Sequence, residues 1–100
     1  MRTLESKEHN LKRVEEMIRE AAKKADLIML PEMFGQLYLK EHMLKHKEPV
    51  DDFKTNEEAR TARLLSSLSK ELDKYIIGGS IPEKVEGEEK IYNTCLCFDR

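Results

Sequence analysis

Glu32 is the side chain whose neighbours make it most capable of chemistry. It closes the run Asp26-Leu27-Ile28-Met29-Leu30-Pro31-Glu32-Met33-Phe34, in which four consecutive apolar residues lead straight into a Pro-Glu pair. An apolar run without alternation reads as a short strand buried on both faces. Pro31 has no N–H and a fixed φ, so the strand ends there. Glu32 is thereby delivered to the strand's C-terminal end between apolar neighbours, which is where open α/β sheets place ligands and chemistry. A carboxylate in such a setting loses solvation, tends to be raised in pKa, and becomes a proton acceptor near neutral pH. Taken alone, the pattern establishes only a carboxylate at a strand end, and most of those are solvated turn acids.

The other reactive side chains point to less. Cys95 and Cys97 form a Cys-x-Cys pair, yet no second pair or suitably spaced His completes a metal site. On one strand they share a face, where free Cys behaves as a small buried hydrophobe. His42 and His46 have the spacing of a helical metal pair, but Met43 stands where a zinc protease needs Glu. Lys45 and Lys47 beside them disfavour a cation, and solvated loop histidines are expected. Gly78-Gly79-Ser80 lacks the spacing of a phosphate loop and reads as close packing or a bulge at a strand end. Asn93, within Tyr-Asn-Thr, is a candidate for buried hydrogen bonding near the site, and the preferred reading is that it satisfies backbone groups across the strand pair.

The elements that must position Glu32 can be traced from periodicity. Leu11, Val14, Met17, Ile18, Ala21, Ala22 and Ala25 recur at intervals of three and four, the apolar stripe of an amphipathic helix. Ser6 is its expected N-cap and Asp26 its exit. The strand of residues 27–30 follows. Residues 35–54 are polar and poorly periodic. Thr55-Asn56-Glu57-Glu58 has the form of a capping box and opens a second helix with Ala62, Leu65, Leu68 and Leu72 on the core. Residues 75–77 form the next strand, closed by Gly78-Gly79. Residues 84–90 read as a hairpin connection to a last strand over residues 91–98. The order is helix, strand, helix, strand, strand.

Residues 25–34 resemble the first catalytic motif of the nitrilase superfamily of carbon–nitrogen hydrolases. A second block, Tyr75-Ile76-Ile77-Gly78-Gly79-Ser80-Ile81-Pro82-Glu83 followed by Ile91-Tyr92-Asn93-Thr94-Cys95, resembles that family in order and separation. Its wording is most similar to the ω-amidase branch. The resemblance covers nearly the whole chain and is weakest over about residues 39–55. It implies an α/β fold, part of an α-β-β-α four-layer sandwich, here in the order α-β-α-β-β and truncated at both ends. Residues 1–100 would then be the N-terminal fragment of a single carbon–nitrogen hydrolase domain.

The resemblance also implies roles. Glu32 corresponds to the family's general base, in an amide hydrolysis that runs through a Cys thioester. The family's Lys and nucleophilic Cys fall beyond Arg100, so this chain alone is expected to be inactive. Cys95 follows Tyr-Asn-Thr in the family pattern and is not the nucleophile. Tyr38, six residues after Glu32, falls where ω-amidases carry a Tyr lining the substrate pocket, and a half-buried loop Tyr is the equal alternative. Phe34 would be a pocket wall, touching substrate, or core. Gly35-Gln36-Leu37 stand where the family usually has Asn-Ser-Pro, a departure in the loop that aims Tyr38. The implied substrate is a small amide, an ω-amide of a dicarboxylic or keto acid, with no cofactor and no metal. A homo-oligomer is implied for the full-length protein. Two alternatives remain: another amidase of the superfamily, such as a carbamoyl-amine hydrolase, and a non-catalytic product acting as an interaction module through exposed strand edges.

Composition narrows the partners. With 18 basic and 20 acidic residues interspersed, a net charge of −2 and no basic stripe, neither nucleic acid nor an anionic membrane is favoured. No apolar run approaches the roughly 20 residues that span a bilayer. Two cysteines make no disulfide framework, and a reducing cytoplasm is the expected compartment.

Overall fold

Ser6 opens the first helix as its spacing predicts, its hydroxyl accepting the N–H of His9 at 3.2 Å. In the computed structural model, which describes residues 6–37 and 39–100, helix α1 runs Lys7–Ala21 and buries Leu11, Val14 and Ile18. It ends before Ala25 is reached, and Asp26 is not its cap. Asp26 instead starts the sheet: its carbonyl accepts the N–H of Tyr75 at 3.0 Å, and its carboxylate meets Lys74 Nζ at 3.0 Å.

Strand β1 (Leu27–Met29) lies parallel to β2 (Tyr75–Ile77), pairing Leu27 with Tyr75, Ile28 with Ile76 and Met29 with Ile77. Strand β5 (Cys97–Phe98) runs antiparallel on the other side of β2, giving the sheet order β1-β2-β5. Ile28 and Ile76 turn towards α1 and towards helix α3 (Arg60–Leu72), joining Val14, Ile18, Leu65 and Leu68 in one core. The expectation of a strand buried on both faces is corrected here. Leu27 and Met29 are 51% and 68% exposed, because only one face of this sheet carries helices among the described residues. Likewise β2 is no open edge: it has a neighbour on each side.

The second sheet pairs β3 (Ile81–Lys84) with β4 (Ile91–Thr94), antiparallel, with residues 85–90 as the expected hairpin connection. The single last strand read over residues 91–98 is in fact two. β4 belongs to β3, the chain breaks at Cys95 and Leu96, and β5 then joins β2. Both cysteines are exposed rather than buried.

Two further readings are corrected. Residues 35–54 contain a helix, α2 (Lys40–His46), which buries no residue and so has no apolar period to betray it. The capping box at Thr55 does not form. The Thr55 hydroxyl donates to Asp52 O at 3.3 Å, and α3 begins at Arg60 with no cap from its own N-cap residue, Ala59. Its cap comes from Glu48: one carboxylate oxygen accepts the N–H of Thr61 and the other its hydroxyl, both at 2.7 Å. A carboxylate is favoured there by the unpaired N–H groups and dipole of the helix N-terminus.

Candidate active site

The two sequence blocks meet at the C-terminal ends of β1 and β2. The ladder continues one residue past β1, with Leu30 N–H donating to Ile77 O at 2.9 Å, and stops at Pro31. Gly79 lies directly against that stop. It has φ +54, and a Cβ on it would sit 2.0 Å from Pro31 O and 2.7 Å from Leu30 O. Only glycine permits both the left-handed backbone and the approach. Ser80 then takes hold of the first block, its carbonyl at 2.9 Å and its hydroxyl at 3.1 Å both accepting the N–H of Met33.

Met33 itself adopts φ 49, an uncommon conformation for a residue with a side chain, and it is buried. The turn it makes is tied down elsewhere too. Buried Gln36 donates its amide to Met33 Sδ at 3.2 Å, and Asn10 Nδ2 of α1 donates to Gly35 O at 3.1 Å. Glu32 is thus carried on a turn fixed from β2, from α1 and from within.

The Glu32 carboxylate points outward and is exposed, so the expected loss of solvation does not occur among the described residues. Among the described residues one group addresses it: Asn93 Nδ2 of β4 donates to Glu32 Oε1 at 3.1 Å. The cross-strand backbone role read for Asn93 is therefore replaced by a side-chain contact with the acid. The block Tyr92-Asn93-Thr94 held the signal, but nothing local said that β4 would arrive beside residue 32.

The remaining site expectations divide. Phe34 is fully buried in the core with Ile28, Leu65 and Ile76, out of reach of a ligand at the surface. Tyr38 lies outside the described residues. His42 and His46 stack with ring centroids 6.2 Å apart, and among the described residues no group of three or more His, Cys, Asp or Glu gathers as metal ligands would. Desolvation, with Cys97 adding to it, pushes the Cys95 thiol above its ordinary value of 9.0. That keeps it as the thiol rather than the reactive thiolate at neutral pH. No helix among the described residues is long and apolar enough to cross a membrane.

Comparison with known proteins agrees with this arrangement of blocks. The family model described as carbon-nitrogen hydrolase matches residues 1–100. The chain belongs to the carbon–nitrogen hydrolase family. It is 40% identical over 93 residues to the omega-amidase NIT2 of Bos taurus, covering 92% of this chain and 30% of that protein. A hydrolase of Schizosaccharomyces pombe is 36% identical over 94 residues, covering 93% of this chain and 27% of that protein. Among solved structures, Saccharomyces cerevisiae Nit3, a member of branch 10 of the nitrilase superfamily, superposes with a TM-score of 0.84 at 30% identity. That match covers 97% of this chain and 36% of Nit3. This carbon–nitrogen hydrolase chain therefore has a nitrilase-like α/β fold and spans 27–30% of the length of the two sequence relatives.

Proposed function

We propose that this chain is the base-bearing part of an amidase of the ω-amidase type, with Glu32 as its general base. The observation that carries the proposal is the seat of Glu32: an exposed carboxylate on a turn clamped by Ser80, at the C-terminal ends of two parallel strands. Glu32 takes the proton of a Cys thiol supplied from outside residues 1–100, and the thiolate attacks the amide carbon. A Lys, also from outside these residues, stabilises the oxyanion. The proton passes from Glu32 to the leaving nitrogen as the C–N bond breaks, and ammonia departs. Glu32 then takes a proton from water, whose oxygen attacks the thioester; the C–S bond breaks, the acid is released as its carboxylate, and the sulfur recovers its proton from Glu32. General-base help of this kind contributes roughly 10²–10⁴-fold in rate.

The substrate class in this proposal is the ω-amide of a small dicarboxylic or keto acid, handled in the cytoplasm by a homo-oligomer of the full-length protein. The two sequence blocks and the 40% identity to a relative named omega-amidase support that class over carbamoyl compounds. Chain 1–100 supplies one of the three chemical groups and is inactive alone. The test is ammonia release from a panel of ω-amides and carbamoyl compounds, using the protein extended by its flanking coding sequence to the length of its relatives. Glu32→Gln keeps the shape but cannot accept the proton, and should abolish turnover. Undiminished release from a folded Glu32→Gln protein would sink the assignment.

A second reading, an interaction module without catalysis, is favoured by one observation. Leu27, Met29 and Tyr75 leave an apolar sheet face open. An extended protein without Lys and Cys in the family motifs would establish it.

A further inference from the structure

We infer that Asn93 is a positioning residue for Glu32, holding one carboxylate oxygen so that the other is aimed as the proton acceptor. The inference rests on the proposed role of Glu32 as general base. Tyr92 and Asn93 are neighbours on β4 but face opposite ways. The Tyr92 hydroxyl donates to Glu88 at 2.6 Å, while Thr94, on the same side, donates to Glu83 at 2.6 Å. Asn93 turns the other way and reaches 61 residues back along the chain to Glu32. The hairpin that carries it is anchored where the site is anchored. β3 starts one residue after Ser80, which holds Met33, and its far edge is bonded to Glu48 through Glu48 N–H to Pro82 O at 2.9 Å and Lys84 N–H to Glu48 O at 2.7 Å.

An exposed Glu side chain is otherwise free to rotate, and a base must be held close to its productive geometry to act. The amide donates to Oε1, a charge-assisted bond that favours one orientation. Among the described residues no group meets Oε2, which is left for the thiol. Asn suits the task because its short arm donates without adding charge. Asp in its place would be the same size yet present a second acceptor, and a second negative charge, to the base.

The test uses the protein extended by its flanking coding sequence, assayed by ammonia release. Asn93→Ala and Asn93→Asp should each lower kcat by about 10–100-fold with KM within threefold, as misplacing a catalytic group does. Asn93→Gln, which restores the donor on a longer arm, should recover part of the loss. Thermal midpoints should stay close to the parent because Asn93 is exposed. Tyr92→Phe, on the opposite side of β4, should leave kcat unchanged. Parental kcat in both Asn93→Ala and Asn93→Asp, alongside an inactive Glu32→Gln, overturns the positioning role and leaves the general base standing. Full activity in Glu32→Gln overturns both. A loss of kcat in Asn93→Asp matched by a loss of the folded state, with Asn93→Ala folded and fully active, would show the residue to be merely structural.

Discussion

The carbonyl oxygen of Pro31 occupies the space that a side chain on Gly79 would need, 2.0 Å from where its Cβ would lie. That contact joins the turn after β1 that bears Glu32 to the segment after β2 that bears Ser80, and it is backbone against backbone, so neither partner can swing aside. Gly79→Ala should therefore displace the Leu30–Pro31 peptide and loosen the Ser80–Met33 bonds that present Glu32. The left-handed φ alone costs an L-residue about 1–2 kcal/mol, and the clash adds to it. Gly78 gives a graded comparison. Its nearest obstacle, 2.7 Å away, is Leu65 Cδ1, the far end of a side chain, although Leu96 O lies at 3.0 Å. Thermal unfolding of the extended protein should rank Gly79→Ala well below Gly78→Ala, with the larger loss of ammonia release in Gly79→Ala.

Glu48 joins α1, α3 and β3. It is buried, caps α3 through Thr61, pairs with Lys7 of α1, and bonds β3 through its backbone. Burial pulls Lys7 below its ordinary value of 10.5, and the charge and hydrogen bond of Glu48 hold it up in part. Glu48→Ala should strand the Lys7 ammonium and uncap α3 together, at a cost of about 3–5 kcal/mol as for other broken buried pairs. Lys7→Met should cost less, because Thr61 still satisfies both carboxylate oxygens. The double variant Lys7→Met with Glu48→Ala should be less destabilised than the two single effects added. Denaturant melts of the four proteins measure this. Additive effects would mean that the pair contributes nothing as a pair.

What the sequence discloses follows from the range over which each feature is decided. Ser6 and the Leu11–Val14–Ile18 stripe are settled within one helix, and both are where local spacing puts them. The two strands leading to Glu32 and Gly79 are legible as apolar runs, although the run at Leu27 could not reveal that one face would stand open. Apart from α2, which buries no residue, the misread features depend on partners outside their own element. Thr55 offers a local capping box, and Glu48 outcompetes it because its buried carboxylate reaches both donors of Thr61. Residues 91–98 keep strand alternation throughout, and only the switch of partner from β3 to β2 breaks them at Cys95 and Leu96. Asn93 belongs to the same class, since its contact with Glu32 exists only once the hairpin has docked.

His46 gives a pH dependence with a definite sign. Partial burial, then the charges of Lys7, Lys45 and His42, pull its imidazole below the ordinary value of 6.5, with Glu48 opposing them. Between the lowered folded value and 6.5 the unfolded chain binds the extra proton and the folded chain does not. Stability from this group is thus fully present above 6.5 and is lost as pH falls through the folded value. Thermal midpoints of the extended protein should fall as pH is lowered from 7 through that window, and His46→Gln should flatten this part of the profile. The Lys7 bond to the His46 carbonyl, at 2.6 Å, survives that substitution, so the comparison isolates the ring. An imidazole titration by proton NMR with His46 at or above 6.5 would contradict the sign.

The open face of the β1-β2-β5 sheet should make chain 1–100 self-associate. Leu27 and Met29 of β1 and Tyr75 of β2 are 51%, 68% and 44% exposed, and they project from the side that carries no helix among the described residues. A depression of about 580 Å³, with Leu27, Tyr75, Ile77 and Cys97 among its lining residues, opens along these strands. β1 adds a second attraction, since among the described residues β2 pairs with one of its edges and no strand lies beside the other. Apolar surface and unpaired N–H and C=O groups in one place promote pairing with another chain. Purified 1–100 should sediment above its monomer mass and bind a hydrophobic dye. Met29→Lys, which puts a charge on that face without entering the core, should shift the distribution towards monomer. Leu44→Lys, on exposed α2 and away from the sheet, should leave it unchanged. A monodisperse monomer with protected β1 amides would show that the face is stable in water and that self-association is not driven by it.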